Sequence, residues 1–176
     1  PVGGKKSGGG GSSQKTKNKS DEKADRYQEV NKKLEMTSTL LSRLQDQEDK
    51  LLGKDLINNL NQQLDKLNSE IDLTKQKLTI AQGEQNEYAN KLKNYGIKFN
   101  ADGSINQQSY VNAFNAEQNR YNNACTDDEA AKKRWEDFKE FISNYNELIS
   151  TIDGLKDDIQ KDLDKQLEIN IKKFTL

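Results

Sequence analysis

Ile97-Lys98-Phe99-Asn100-Ala101-Asp102-Gly103-Ser104-Ile105-Asn106 decides how this chain is read, because it is the strongest turn signal between two long helical patterns. Two short extended runs flank Ala101-Asp102-Gly103, where a glycine can supply positive φ, so a small β-hairpin is expected over 96–106. On its amino side Tyr95-Gly96 closes a helix, with Gly96 as a left-handed cap. On its carboxyl side Asn106 caps a second helix that opens on Gln107 and Gln108.

Working outward from this turn, Leu92, Tyr88, Gln85, Ala81, Leu78, Thr74, Ile71, Leu67, Leu64, Leu60 and Ile57 recur at alternating spacings of four and three. Tyr110, Phe114, Glu117, Tyr121, Ala124, Asp128, Ala131, Trp135, Phe138, Ile142 and Tyr145 form the matching ladder on the other side. Reflected about the turn, Leu60 faces Ile142, Leu64 faces Phe138 and Leu67 faces Trp135, and these six are expected to carry the seam packing. The resulting expectation is an all-α chain, folded as one long antiparallel helical hairpin of coiled-coil type. At about 1.5 Å per residue, arms of roughly 70 residues would make a rod of about 100 Å.

Composition agrees with an elongated helical architecture. Only 31% of the residues are hydrophobic and 32% are charged, too little apolar material for a large compact core but enough for a seam that needs roughly two apolar positions in seven. Sustained periodicity separates this chain from a disordered one of similar composition.

Four segments follow. Residues 1–20 read as a flexible Gly/Ser/Lys-rich linker in which Lys5, Lys6, Lys15, Lys17 and Lys19 have no acidic neighbour. A first helix is expected over 21–95, started by Ser20 with Asp21 and Glu22. It carries Tyr27, Val30, Leu34, Thr37, Leu41 and Leu44 in one phase, and a slip of phase near Gly53 predicts a kink or short skip. The tip occupies 96–106. A second helix is expected over 107–176. Thr126-Asp127-Asp128-Glu129 has the form of a capping box and predicts a break at 125–128, and Gly154 marks a further irregularity.

Charge is balanced, with 28 basic against 29 acidic residues, so no global field draws the chain to nucleic acid or to an anionic membrane. The Lys-rich tract leaves room only for a weak, salt-sensitive contact with nucleic acid. No stretch approaches the roughly 18 apolar residues of a membrane span, and the amino end has no apolar signal core. Cys125 is the single cysteine, which excludes an intrachain disulfide; it is expected to pack as a small apolar residue at a helix edge. The chain starts with Pro1 rather than Met, which fits either excision of an initiator Met before Pro or a segment of a longer polypeptide.

Catalytic chemistry has little to work with. There is no histidine, so the commonest general base and the commonest transition-metal ligand are both missing. No phosphate-binding glycine loop of the required spacing occurs. Asn100–Ile105 matches the middle of a calcium loop, but Lys98 and Ser109 stand where the first carboxylate and the bidentate glutamate belong. Asp127/Asp128 and Asp157/Asp158 read as solvated surface charge. The expectation is a non-enzymatic protein with no cofactor and no metal.

Arg26-Tyr27 through Leu51-Leu52-Gly53-Lys54, the tip from Tyr95 to Asn106, and Tyr145-Asn146-Glu147-Leu148-Ile149 resemble a coiled-coil segment that recurs in tape-measure and tape-measure-like internal proteins of tailed phages, especially crAss-like and related phages of gut Bacteroidota. The resemblance covers roughly residues 24–174, and its most specific element is the tip. It implies a structural virion component of the tail or capsid interior, packed against other virion proteins or copies of itself, or carried as cargo and expelled through the tail. The competing expectation is a cellular coiled-coil spacer or adaptor that binds a partner through the apolar tip residues Ile97, Phe99 and Ile105.

Overall fold

A computed structural model of the chain describes residues 19–176, with side chains from Ala24 onward. The tract 1–18, including Lys5, Lys6, Lys15 and Lys17, lies outside the described residues, while Lys19 and Ser20 already belong to a helix. The described residues are all-helical, in four helices: α1 (Lys19–Glu48), α2 (Gly53–Lys93), α3 (Gln107–Asn123) and α4 (Glu129–Phe174). No helix among them is long and apolar enough to cross a membrane.

The chain divides into two compact units. Unit 1 comprises the described residues up to Lys77 together with Asp162–Leu176, and unit 2 is Leu78–Lys161. In unit 1 the expected continuous helix over 21–95 is corrected to two helices. α1 ends at Glu48, and Asp49-Lys50-Leu51-Leu52 turns the chain back so that α1 lies against α2. Three contacts fix the antiparallel direction: Asn59 Nδ2 donates to the Leu44 carbonyl at 2.9 Å, Gln63 Nε2 to Glu48 Oε1 at 2.8 Å, and Ser38 Oγ to Glu70 Oε2 at 3.0 Å. Gly53, at φ +56°, opens α2 in a backbone region that other residues rarely adopt, so the slip of phase is a reversal rather than a kink. The core of unit 1 is Leu41, Leu60, Leu67 and Ile169, backed by Leu56 and Leu64. Gln166 on the end of α4 donates to Asn68 on α2 at 2.5 Å, which seats α4 beside the pair.

Unit 2 is built from the end of α2, the tip, α3 and the first part of α4. Its main core joins Leu92, Ile97, Ala113, Trp135, Phe138 and Tyr145, and a smaller cluster joins Ala81, Ile152 and Leu155. The mirror register is therefore overturned. Trp135, Phe138 and Ile142 pack in unit 2, whereas Leu60, Leu64 and Leu67 pack in unit 1. Tyr88 meets Phe141 at a centroid separation of 5.9 Å and accepts from Asn144 at 3.1 Å, so α2 pairs with α4. α3 reverses into α4 through residues 124–128 and covers the aromatic end of unit 2, with Phe114 edge-on to Trp135 at 5.3 Å. A heptad ladder specifies which face of a helix is apolar, and any compatible ladder can fill it.

Other local expectations change too. Asp128 is an exposed cap rather than a seam residue: its Oδ1 accepts from the Ala131 amide at 3.0 Å, and its carbonyl from Lys132 at 3.2 Å. It takes the capping role assigned to Thr126. Cys125 is exposed in the α3–α4 turn. α4 runs unbroken through Gly154, whose added Cβ would meet nothing within 4 Å. An exposed helical glycine weakens local propensity without redirecting the axis.

Candidate functional site

The tip of unit 2 is built by local chemistry. α2 closes in a Schellman arrangement, with the Ile97 amide bonded to the Leu92 carbonyl at 3.3 Å and the Gly96 amide to Lys93 at 3.0 Å. Gly96 holds the required left-handed backbone at φ +87°. Leu92 and Ile97 are both buried in the same core, which supplies the apolar contact of that motif. The expected β-hairpin shrinks to a single antiparallel bridge, Phe99 to Ile105, with no strand among the described residues. Side chains do much of the remaining work. Asp102 Oδ1 accepts from the Ser104 amide at 3.0 Å and from the Ser104 hydroxyl at 2.6 Å. Those hydrogen bonds, led by the hydroxyl, hold the Asp102 carboxyl below its ordinary value of 3.8.

Asn106 caps α3 by accepting from the Ser109 amide at 2.9 Å. Buried Ser109 in turn accepts from the Lys98 amide at 2.9 Å, so the two residues that would have to be carboxylates in a calcium loop are tied to each other. The Tyr145 hydroxyl, from α4, donates to the Gly103 carbonyl and accepts from Gln85 Nε2 at 3.4 Å. Burial raises the Tyr145 phenol above its ordinary 10.0.

The three candidate contact residues do not form an exposed patch. Ile97 is 3% exposed, and Phe99 and Ile105 pack on the same core, with Phe99 5.0 Å from the Tyr145 ring. The outward part of the tip is Asn100, Ala101 and Asp102, which is polar apart from one methyl group.

Behind the tip, Glu117 of α3 is 4% exposed and takes two hydrogen bonds from Arg134 of α4, at 2.5 Å from Nε and 3.2 Å from Nη2. The Arg134 guanidinium lies 4.6 Å from the centroid of the Tyr95 ring. Arg120 adds a contact to Glu117 at 3.5 Å. Glu117 looks like a misplaced acid in an apolar ladder, and the sequence signal for its partner is Arg134, directly before Trp135 and one turn before Phe138. The hydrogen bond to Glu117 raises Arg134 further, and burial raises the Tyr95 phenol. This is a charge clamp between α3 and α4, with both bidentate positions filled.

Two open grooves lie on unit 2. One, of about 280 Å³, is lined by Tyr95, Lys98, Asn106, Gln108, Ser109 and Asn112, with no acid among them. The other, of about 260 Å³, has Glu84 and Glu147 on its walls, and Glu84 Oε1 is buried without a hydrogen-bond partner. Among the described residues no group of three metal-ligating side chains occurs.

The largest feature missed by sequence reading is on unit 1. Leu163, Leu167, Ile171 and Phe174 line one side of α4 and are 44%, 60%, 56% and 93% exposed. They repeat at spacings of four, four and three, and the signal was hidden because Ile169 on another face packs into the core. Comparison with known protein families, with curated proteins and with solved structures finds no match for this chain.

Proposed function

We propose that this chain is a structural, non-enzymatic component of a phage particle, a tape-measure-like or internal cargo protein that packs through its helices against other virion proteins or copies of itself. The finer architecture under this reading is a set of antiparallel, coiled-coil-like helix pairs within each unit. The observation that carries the assembly role is the exposed apolar stripe Leu163–Leu167–Ile171–Phe174, four large apolar side chains in a row on one side of α4. The phage setting rests on the resemblance of the tip residues.

Polar side chains at interior positions support passage through a narrow channel. Asn59, Gln63, Thr74, Glu117 and Asp162 are all buried, and polar core positions hold a helix pair less firmly than an apolar seam. A melting point above about 90 °C for the isolated chain would argue against that part of the reading.

Peptide mass spectrometry of purified particles, before and after triggered genome release, tests the proposal. Loss on release supports expelled cargo, retention supports a fixed virion part, and absence from particles sinks the phage reading. In the same particles Leu167→Glu with Ile171→Glu should lower incorporation of the chain. An adaptor that gripped a partner with Ile97, Phe99 and Ile105 would have to open the core of unit 2, so that alternative requires a contact through Asn100–Asp102 instead.

A further inference from the structure

We infer that α1 is an exchangeable arm: the chain straightens at Asp49–Leu52, and α1 of one copy takes the place of α1 on a second copy of this chain. The inference is independent of the phage reading. Among the described residues, polar and apolar contacts tie α1 to the other two helices of unit 1. Ser38 meets Glu70, Leu44 meets Asn59, and Glu48 meets both Gln63 and Lys172. Leu41 joins the core of Leu60, Leu67 and Ile169. In an exchanged pair each of these contacts re-forms with the same partner residue, so only the four-residue reversal is given up.

That reversal is the least favourable part of the arm. Gly53 sits at φ +56°, where any other residue is strained. Two turn hydrogen bonds, Lys50 amide to Gln47 carbonyl and Leu51 amide to Glu48 carbonyl, both at 3.1 Å, already continue the helical direction of α1 into the hinge. The inward positions of α1, Val30, Leu34, Thr37, Leu41, Leu44 and Glu48, alternate spacings of four and three, and Leu51 is the next member of that series. Leu52 beside it is 84% exposed. When two straightened hinges cross at a two-fold axis, Leu51 and Leu52 of both copies meet there, a contact that exists only in the exchanged form. A short hinge under backbone strain between two packed helices is the usual starting point for such exchange.

Gly53→Ala is the decisive variant, made in a Cys125→Ser background. It strains the reversal and favours a helical hinge, in both copies at once, so the dimer association constant measured by light scattering after size exclusion should rise by about a hundredfold. Ser38→Cys and Glu70→Cys, treated with a short bismaleimide, then report who holds the arm. In the dimer fraction the link should join two chains on a denaturing gel, and in the monomer fraction it should stay within one. Leu52→Glu added to Gly53→Ala should weaken the dimer at least about tenfold by placing like charges at the crossing. Should Gly53→Ala fail to fold, the chain with its native Gly53 and the same two cysteines, warmed and slowly cooled at high concentration, gives the same gel reading. A Gly53→Ala chain that stays monomeric, or dimers in which the link remains within one chain under both conditions, overturns the inference.

Discussion

Unit 2 is held by rings and unit 1 by aliphatic side chains with a layer of amides, although α2 and α4 run through both. In unit 2, Phe138 packs within 5.2 Å of Tyr95 and 6.2 Å of Trp135, and Glu117 and Arg134 clamp α3 to α4 from the side. In unit 1, Leu41, Leu60, Leu67 and Ile169 share the interior with Asn59 and Gln63, which hydrogen-bond to each other at 2.7 Å and on to α1. The difference teaches what each core specifies. Large rings of distinct shape fix a single packing, whereas small aliphatic layers accept several partners and leave register to the amides.

The comparison breaks first at Phe138, which is 1% exposed. Phe138→Ala should destabilise the chain by about 3–5 kcal/mol in urea unfolding. Hydrogen exchange should show lost protection in unit 2 with unit 1 nearly unchanged. Equal loss in both would show that they unfold as one body. Gln63→Leu addresses the other core. It removes the donor to Asn59 and Glu48 from a site only 2% exposed, and a cost of about 1–3 kcal/mol is expected, with protection lost in α1 first.

Glu117→Ala leaves Arg134 without its bidentate partner. Because the Arg134 side chain is 38% exposed, water recovers part of the loss, and about 1–2 kcal/mol in urea unfolding is expected rather than the larger penalty of a fully buried pair. Alkali sharpens the contrast further. Burial favours the neutral phenols of Tyr95 and Tyr145, so their folded pKa values lie above the unfolded 10.0. Their contribution is complete below pH 10 and fades as pH rises through the folded values. Trp135, the only tryptophan, sits in unit 2 and reports this loss by fluorescence; no tyrosine belongs to the aliphatic cluster of unit 1.

The smallest effect is at the tip. Asp102 has a lowered folded pKa, so its hold on Ser104 is present above pH 3.8 and is lost as pH falls through the folded value. The Ser104 amide resonance should shift in that acid range, and Asp102→Asn should move the shift out of it.

Legibility followed the range of the interaction. Gly96, Gly103 and Asn106 could be read from sequence because each acts on backbone within a few residues. The pairing of helices could not. Mirror symmetry about the tip pairs Trp135 with Leu67, yet Trp135 packs on Phe114 and Phe138, because the reversal at 124–128 intervenes; neither it nor the earlier reversal at 49–52 carries a strong turn code. Asp49-Lys50-Leu51-Leu52 contains no proline, asparagine or glycine, and its only flag is Gly53 just beyond. At 124–128 the Asp128 cap was visible as part of a break but not as a change of direction. Exposed apolar residues such as Leu167 were indistinguishable from buried ones, since periodicity alone does not say what lies opposite.

The order of the units along the chain has a mechanical consequence. Unit 2 is continuous from Leu78 to Lys161, whereas unit 1 is closed only when Asp162–Leu176 joins the earlier helices. During synthesis unit 2 can therefore be complete while unit 1 still waits for its last strip of helix. Tension applied between α1 and Phe174 pulls directly on unit 1, because both of these attachment points belong to it.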